Sequence, residues 1–161
     1  YQPEEWHWVV KEAVKTFNEN HWIPAFTLIM GLDNDETPED GWETIRLINE
    51  LEREQPDSMF TATPLTFIPI GLLEKSEFYD MGNDSDPTQL GVMYKTWQHN
   101  FKYGIKKFMS KTGQRGSIRR LAFNGLARTL GGVPLGAMER FARRKGGEHE
   151  RVLEKIKAQY W

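Results

Sequence analysis

Residues 24–40 read Pro24-Ala-Phe-Thr-Leu-Ile-Met-Gly-Leu-Asp-Asn-Asp-Glu-Thr-Pro-Glu-Asp40, and this stretch decides the fold class. Ile23–Met30 is a nearly continuous apolar run with β-branched and aromatic members, the pattern of a strand covered on both faces in a parallel sheet. Gly31 allows the chain to turn sharply and approach another group closely. Thr37-Pro-Glu-Asp40 marks a helix start, with a hydroxyl able to cap, a proline at the first helical position and acids in the first turn. Trp42, Ile45, Ile48 and Leu51 recur at helical spacing, which predicts one apolar face fading near Glu54, before Gln55-Pro56. A second strand follows over Met59–Pro69. Two strands joined by a crossover helix form a parallel βαβ unit.

Working outward, Glu4–Glu19 is predicted to be a helix. Trp6, Val10, Ala13, Val14 and Phe17 make its apolar face, Pro3 suits its first turn, and Asn18-Glu-Asn-His21 ends it. Beyond Gly71 the character changes, and Glu77–Pro87 is an acidic, turn-rich surface loop. Asp86-Pro-Thr-Gln89 opens a long helix with a capping-box pattern. Its face is Leu90, Tyr94, Trp97, Phe101, Ile105 and Phe108, and Gly113 stops it. Further helices are expected over Ser117–Leu130, Pro134–Arg144 and from Glu148 to near the end, separated by Gly131-Gly132 and Gly146-Gly147. The chain thus divides into βα units over residues 1–72 and an acidic loop with a helical extension over 73–161.

With 161 residues, 39% hydrophobic and 27% charged, the composition is that of a soluble globular protein with one domain's worth of core. No apolar run approaches the roughly 18–20 residues of a membrane span, and no secretory-signal pattern is present. The start at Tyr1 points to an excised piece or a processed product. Cysteine is absent, which excludes disulfides, cysteine nucleophiles, thiolate zinc sites and cysteine-ligated iron–sulfur clusters within these residues and is compatible with a cytoplasmic location. Charge is strongly segregated. Residues 1–86 hold 5 Lys/Arg against 19 Asp/Glu, residues 87–161 hold 16 against 4, and the resulting −14 and +12 give the net −2. Either the halves attract each other, or the basic half meets an anionic partner.

The familiar catalytic patterns are missing. Asp33, Asp35 and Glu36 crowd the turn after the first strand and would repel a phosphate, and there is neither G-x-G-x-x-G nor a Walker lysine. An EF-hand fails too: counted from Asp33, the glycine position holds Pro38 and the last ligand position holds Thr44. His7, His21, His99 and His149 have no metal spacing, and no serine sits in a nucleophile elbow. The C-terminal helices carry Arg115, Arg119, Arg120, Arg128, Arg140, Arg143, Arg144 and Lys145, a possible nucleic-acid footprint without a motif to fix a groove or base contact.

The wording from Thr27 to Asp40, the helix Trp42–Leu51 and the run Pro64-Leu-Thr-Phe-Ile-Pro-Ile-Gly71 resemble the later part of the radical S-adenosylmethionine barrel. In that superfamily a strand reading roughly G-x-I-x-G enters a GLPGET-x-ED turn and helix, and the next strand ends F-x-P. The resemblance covers about residues 5–72 and implies the fifth strand, fifth helix and sixth strand of a six-fold (βα) partial barrel, an α/β fold with two parallel strands here. Members with an upstream cobalamin-binding domain look most similar.

By the same resemblance, Ile29 matches the apolar residue lying against the adenine of S-adenosylmethionine, and Gly31 the glycine closing that strand. Phe67, Pro69 and Ile70 match the end of the sixth strand, which borders the adenine. There are departures. Thr27 stands where the family often has glycine, the turn is one residue longer, Asp33 replaces its proline, and the CxxxCxxC motif that holds a 4Fe-4S cluster is missing. The expectation is therefore a non-catalytic fragment of a radical S-adenosylmethionine enzyme. It would supply the adenine side of the cofactor site and a helical cap, with the cluster, and cobalamin where used, held by a missing N-terminal part. The rival is an interaction module whose basic helices bind an anionic protein, membrane surface or nucleic acid. Two strands alone expose edges, so either self-association or rearrangement is also expected.

Overall fold

β1 (Ala25–Met30) and β2 (Thr61–Thr66) lie side by side and run in the same direction in a computed structural model, which describes residues 3–30, 37–66, 86–104 and 118–159. The register pairs Phe26 with Ala62, Leu28 with Pro64 and Ile29 with Leu65. Between the strands comes α2 (Pro38–Glu54), preceded by α1 (Pro3–Glu19). After β2 come α3 (Pro87–Gln98), a π-helical turn (His99–Gly104), α4 (Ile118–Lys145) and α5 (Gly147–Ala158). The protein is therefore α/β, mostly helical, with a two-stranded parallel sheet among the described residues.

Local chemistry explains the helix starts. Asp40, at the third helical position of α2, accepts from the Thr37 backbone N–H at 2.7 Å and from its hydroxyl at 2.9 Å. These bonds hold its carboxyl below the usual carboxylate range. The Thr37 hydroxyl thus donates to the acid it was expected to cap beside. Asp86 caps α3 by accepting from Thr88 N–H at 2.8 Å.

Two apolar clusters meet on α2. Val10 and Val14 of α1 pack with Leu47, Ile48, Leu51 and Phe60, while Ile45 faces Val92, Tyr94, Leu135, Val152 and Ile156 of the helical layer. Lys11 ties α1 to α2 through Glu50 and Glu54. Of the face predicted for α1, Trp6 and Phe17 are exposed instead.

Three expectations are corrected. β1 is not covered on both faces, because helices pack on one side of the sheet: Met30 is buried and Phe26 and Leu28 half-buried, while Ala25, Thr27 and Ile29 are exposed. The helix from Asp86 is α only to Gln98 before widening into the π turn, and its predicted continuation to Gly113 lies outside the described residues. Ser117–Leu130 and Pro134–Arg144 are not two helices. α4 continues through Gly131-Gly132 and Pro134, despite costs of about 1 kcal/mol per interior glycine and about 3 for proline. Packing offsets them: a Cβ at Gly131 would lie 2.6 Å from Phe101, so glycine is what lets the two segments meet. The break at Gly146-Gly147 is real, with both residues at positive φ.

The two edges of the sheet differ. Thr61 N–H donates to Pro24 C=O at 3.0 Å, so by alternation Ala62 and Pro64 direct their backbone groups to the outer edge of β2. There the Asn100 carboxamide accepts from Ala62 N–H at 3.1 Å and donates to Ala62 C=O at 2.6 Å. Pro64 has no N–H to offer. Asn18 makes the same double contact with Met59 just before the strand, at 2.7 and 2.9 Å. On the outer edge of β1 nothing among the described residues pairs with the backbone of Ala25, Thr27 or Ile29.

Candidate functional site

The face of the sheet turned away from the helices carries Ala25, Thr27 and Ile29 beside Thr61, Thr63 and Leu65, all exposed. Its apolar end is the Ile29–Leu65 pair, adjacent across the two strands and 56% and 49% exposed. Leaving two aliphatic side chains half open forgoes roughly 1 kcal/mol of burial for each, about half the value of complete burial. The pair lies at the C-terminal ends of parallel strands, where barrels and open α/β sheets bind ligands. Of the residues expected to form the cofactor wall, Ile29 stands here. Gly31, Phe67, Pro69 and Ile70 lie outside the described residues, as does the acidic turn at Asp33, Asp35 and Glu36.

A second polar centre lies between α2, α3 and β2. Lys95 is 0% exposed and donates to Glu52 Oε2 at 2.7 Å. The other oxygen, Oε1, meets His99 Nδ1 at 2.8 Å, and His99 Nε2 meets Phe60 C=O at 3.0 Å. Carboxylate and carbonyl only accept, so both ring nitrogens donate when this arrangement is fully satisfied. The His99 ring also stacks on Phe60, with centroids 3.9 Å apart.

Burial pushes the Lys95 ammonium down to about 8, an effect that the Glu52 carboxylate beside it only partly reverses. For Glu52, burial pushes up, but the His99 hydrogen bond and the Lys95 charge outweigh it and hold the carboxyl below its ordinary range. The two directions are compatible because Lys95 is the more deeply desolvated partner. The triad clamps three elements together.

Sequence reasoning treated His99 as an ordinary histidine and passed over Lys95. The available signal was Lys95 and His99 four residues apart on a helix with no other charged residue, a spacing that puts both on one face. The π turn then brings Asn100 onto the neighbouring stretch of β2, so consecutive side chains serve Phe60 and Ala62.

No protein-family model, no curated protein and no solved structure matches the chain. Among the described residues no group of three or more His, Asp or Glu side chains could hold a metal ion, and no helix is long and apolar enough to cross a membrane. The chain has no cysteine, so its residues do not fit a 4Fe-4S cluster. The Ile29–Leu65 strip is an open aliphatic surface. Elsewhere, Arg140, Arg143, Arg144 and Lys145 stand exposed at the end of α4.

Proposed function

We propose that the chain supplies one wall of the S-adenosylmethionine site of a radical S-adenosylmethionine enzyme and is not catalytic by itself. The observation that carries this reading is the open Ile29–Leu65 pair at the C-terminal ends of two parallel strands joined by a crossover helix. Aliphatic side chains there offer a flat, dry surface to an adenine ring. The edges support the same reading: β2 is closed by Asn100 and Pro64, as suits a last strand, whereas β1 stands open to a preceding one. When bound, S-adenosylmethionine supplies radical or methyl-transfer chemistry in that superfamily. This chain's residues contribute binding and orientation, and α3–α5 form a helical layer behind the sheet, on the face away from the wall. Cobalamin and the cluster would be held by other parts of the polypeptide.

The test is a titration of the isotope-labelled protein with S-adenosylhomocysteine, followed by amide chemical shifts. Saturable shifts confined to the C-terminal halves of β1 and β2, abolished by Ile29→Glu, are expected. Shifts that are absent at millimolar ligand, or that survive Ile29→Glu, overturn the assignment.

A second reading is favoured by the exposed Arg140, Arg143, Arg144 and Lys145, which present one sign of charge at the end of α4. On that reading the helical layer docks an anionic partner. Salt-dependent retention on a polyanion column, lost in the Arg143→Glu/Arg144→Glu double variant, distinguishes it.

A further inference from the structure

Under the sheet, between β1 and α2, lies a cavity of about 520 Å³ whose lining also includes Thr27 and Ile29, within the range of small-molecule sites. Its lining follows α2 from Asp40 to Leu51, a length of roughly 16 Å at the helical rise. The far end is apolar, closed by Val10, Phe26, Leu47, Ile48 and Phe60. The near end carries the polar groups Asp40, Thr44 and Gln89.

Gln89 is the informative residue. It is only 9% exposed and lines the cavity, yet its carboxamide has no hydrogen-bond partner among the described residues; its backbone N–H is the group bound, to Asp86 C=O. Its carboxamide atoms are open to the cavity rather than sealed in the core, so water or a ligand there is what can bond them. Its position is fixed rather than accidental. Gly41 of α2 abuts Thr88 so closely that a Cβ would lie 2.7 Å from the threonine hydroxyl. That contact sets the start of α3 against α2 and aims the next residue along the cavity. Asp40, meanwhile, has its Oδ2 engaged by Thr37 and keeps its negative charge at the same end.

We infer that this cavity binds a small amphiphile, with an aliphatic or aromatic body along α2 and a neutral or cationic hydrogen-bonding head at Gln89 and Asp40. The body replaces water against an apolar lining. The head replaces water on the Gln89 amide, and the Asp40 carboxylate rejects carboxylate and phosphate heads while accepting ammonium. Most of this site lies on the helix-covered side of the sheet, and at β1 it adjoins the cofactor wall through Ile29.

The test uses N-phenyl-1-naphthylamine, an apolar dye with one neutral N–H donor, whose fluorescence rises on leaving water. Saturable binding is expected, with a dissociation constant on the order of 1–10 µM. Thr44→Trp, which plugs the cavity near its polar end, abolishes it. Gln89→Leu, which keeps the volume and removes the amide, weakens it about five- to tenfold, the equivalent of one lost hydrogen bond. Dodecylamine and dodecanamide displace the dye while dodecanoate does not, and Asp40→Asn narrows that difference. Circular dichroism verifies that each variant retains its helices. Dye binding that is absent, that is unchanged in both Thr44→Trp and Gln89→Leu, or that dodecanoate competes as well as dodecylamine, overturns the assignment.

Discussion

The carboxamide of Asn100 makes with Ala62 the two hydrogen bonds that a neighbouring strand would make, donating at 2.6 Å and accepting at 3.1 Å. One side chain thus stands in for a strand at the margin of β2. Asn100→Leu should lower stability by about 1–3 kcal/mol, because the Ala62 N–H and C=O lose their partners together. Urea unfolding measures the loss. Sedimentation velocity should show increased self-association, as the uncovered margin becomes available for pairing.

The buried triad responds asymmetrically to substitution. Glu52→Gln leaves the Lys95 ammonium without its carboxylate and deprives His99 of a charged acceptor, so a loss of about 3–5 kcal/mol is expected. Lys95→Met removes the most desolvated charge and leaves Glu52 bonded to His99, so its cost should be clearly smaller. Equal losses in chemical denaturation would contradict this ordering.

The same lysine gives a pH signature. Its folded-state value of about 8 lies below the ordinary 10.5, so between these limits the unfolded chain binds more protons than the folded one. Stability then rises with pH across that window. Below about 8 both states are protonated and the burial cost is fully present. A denaturation series from pH 7.5 to about 10.5 should show this rise in the parent protein and lose it in Lys95→Met.

Gly91 supplies a test of helix packing. In an exposed helix, Gly→Ala stabilises by about 1 kcal/mol. Here a Cβ would lie 2.8 Å from Val152, 3.0 Å from Ile156 and 3.3 Å from Ile45. Gly91→Ala should therefore reverse sign and destabilise by about 1–3 kcal/mol. At Gly132, where a Cβ meets nothing within 4 Å, the same substitution should stabilise. Thermal unfolding of the two variants compares them directly.

Periodicity and cap chemistry carried much of the fold. Pro38 and Asp40 marked the start of α2, Asp86 and Pro87 that of α3, and the two greasy runs foretold parallel strands with a helix between. The continuity of α4 was missed because Gly131-Gly132 and Pro134 were read as a break, whereas contact between Phe101 and Gly131 outweighs local propensity. β1 was read as doubly covered because composition cannot reveal how many layers pack on a sheet. Of the candidate wall, Ile29 alone falls among the described residues. The Lys95–Glu52–His99 centre and the Gln89 cavity were invisible in sequence because they depend on residues brought together from α2, α3 and β2. The four-residue spacing of Lys95 and His99 hints at a shared face, but it does not name Glu52 or Phe60 as their partners.

Pro64 gives the protein a handedness of assembly. With that residue unable to donate and Ala62 occupied, hydrogen-bonded growth is blocked on one flank and allowed on the other. Two copies that join β1 to β1 about a two-fold axis use up both permitted flanks at once. Such pairing ends at a dimer, with no further growth through Ala62 or Pro64.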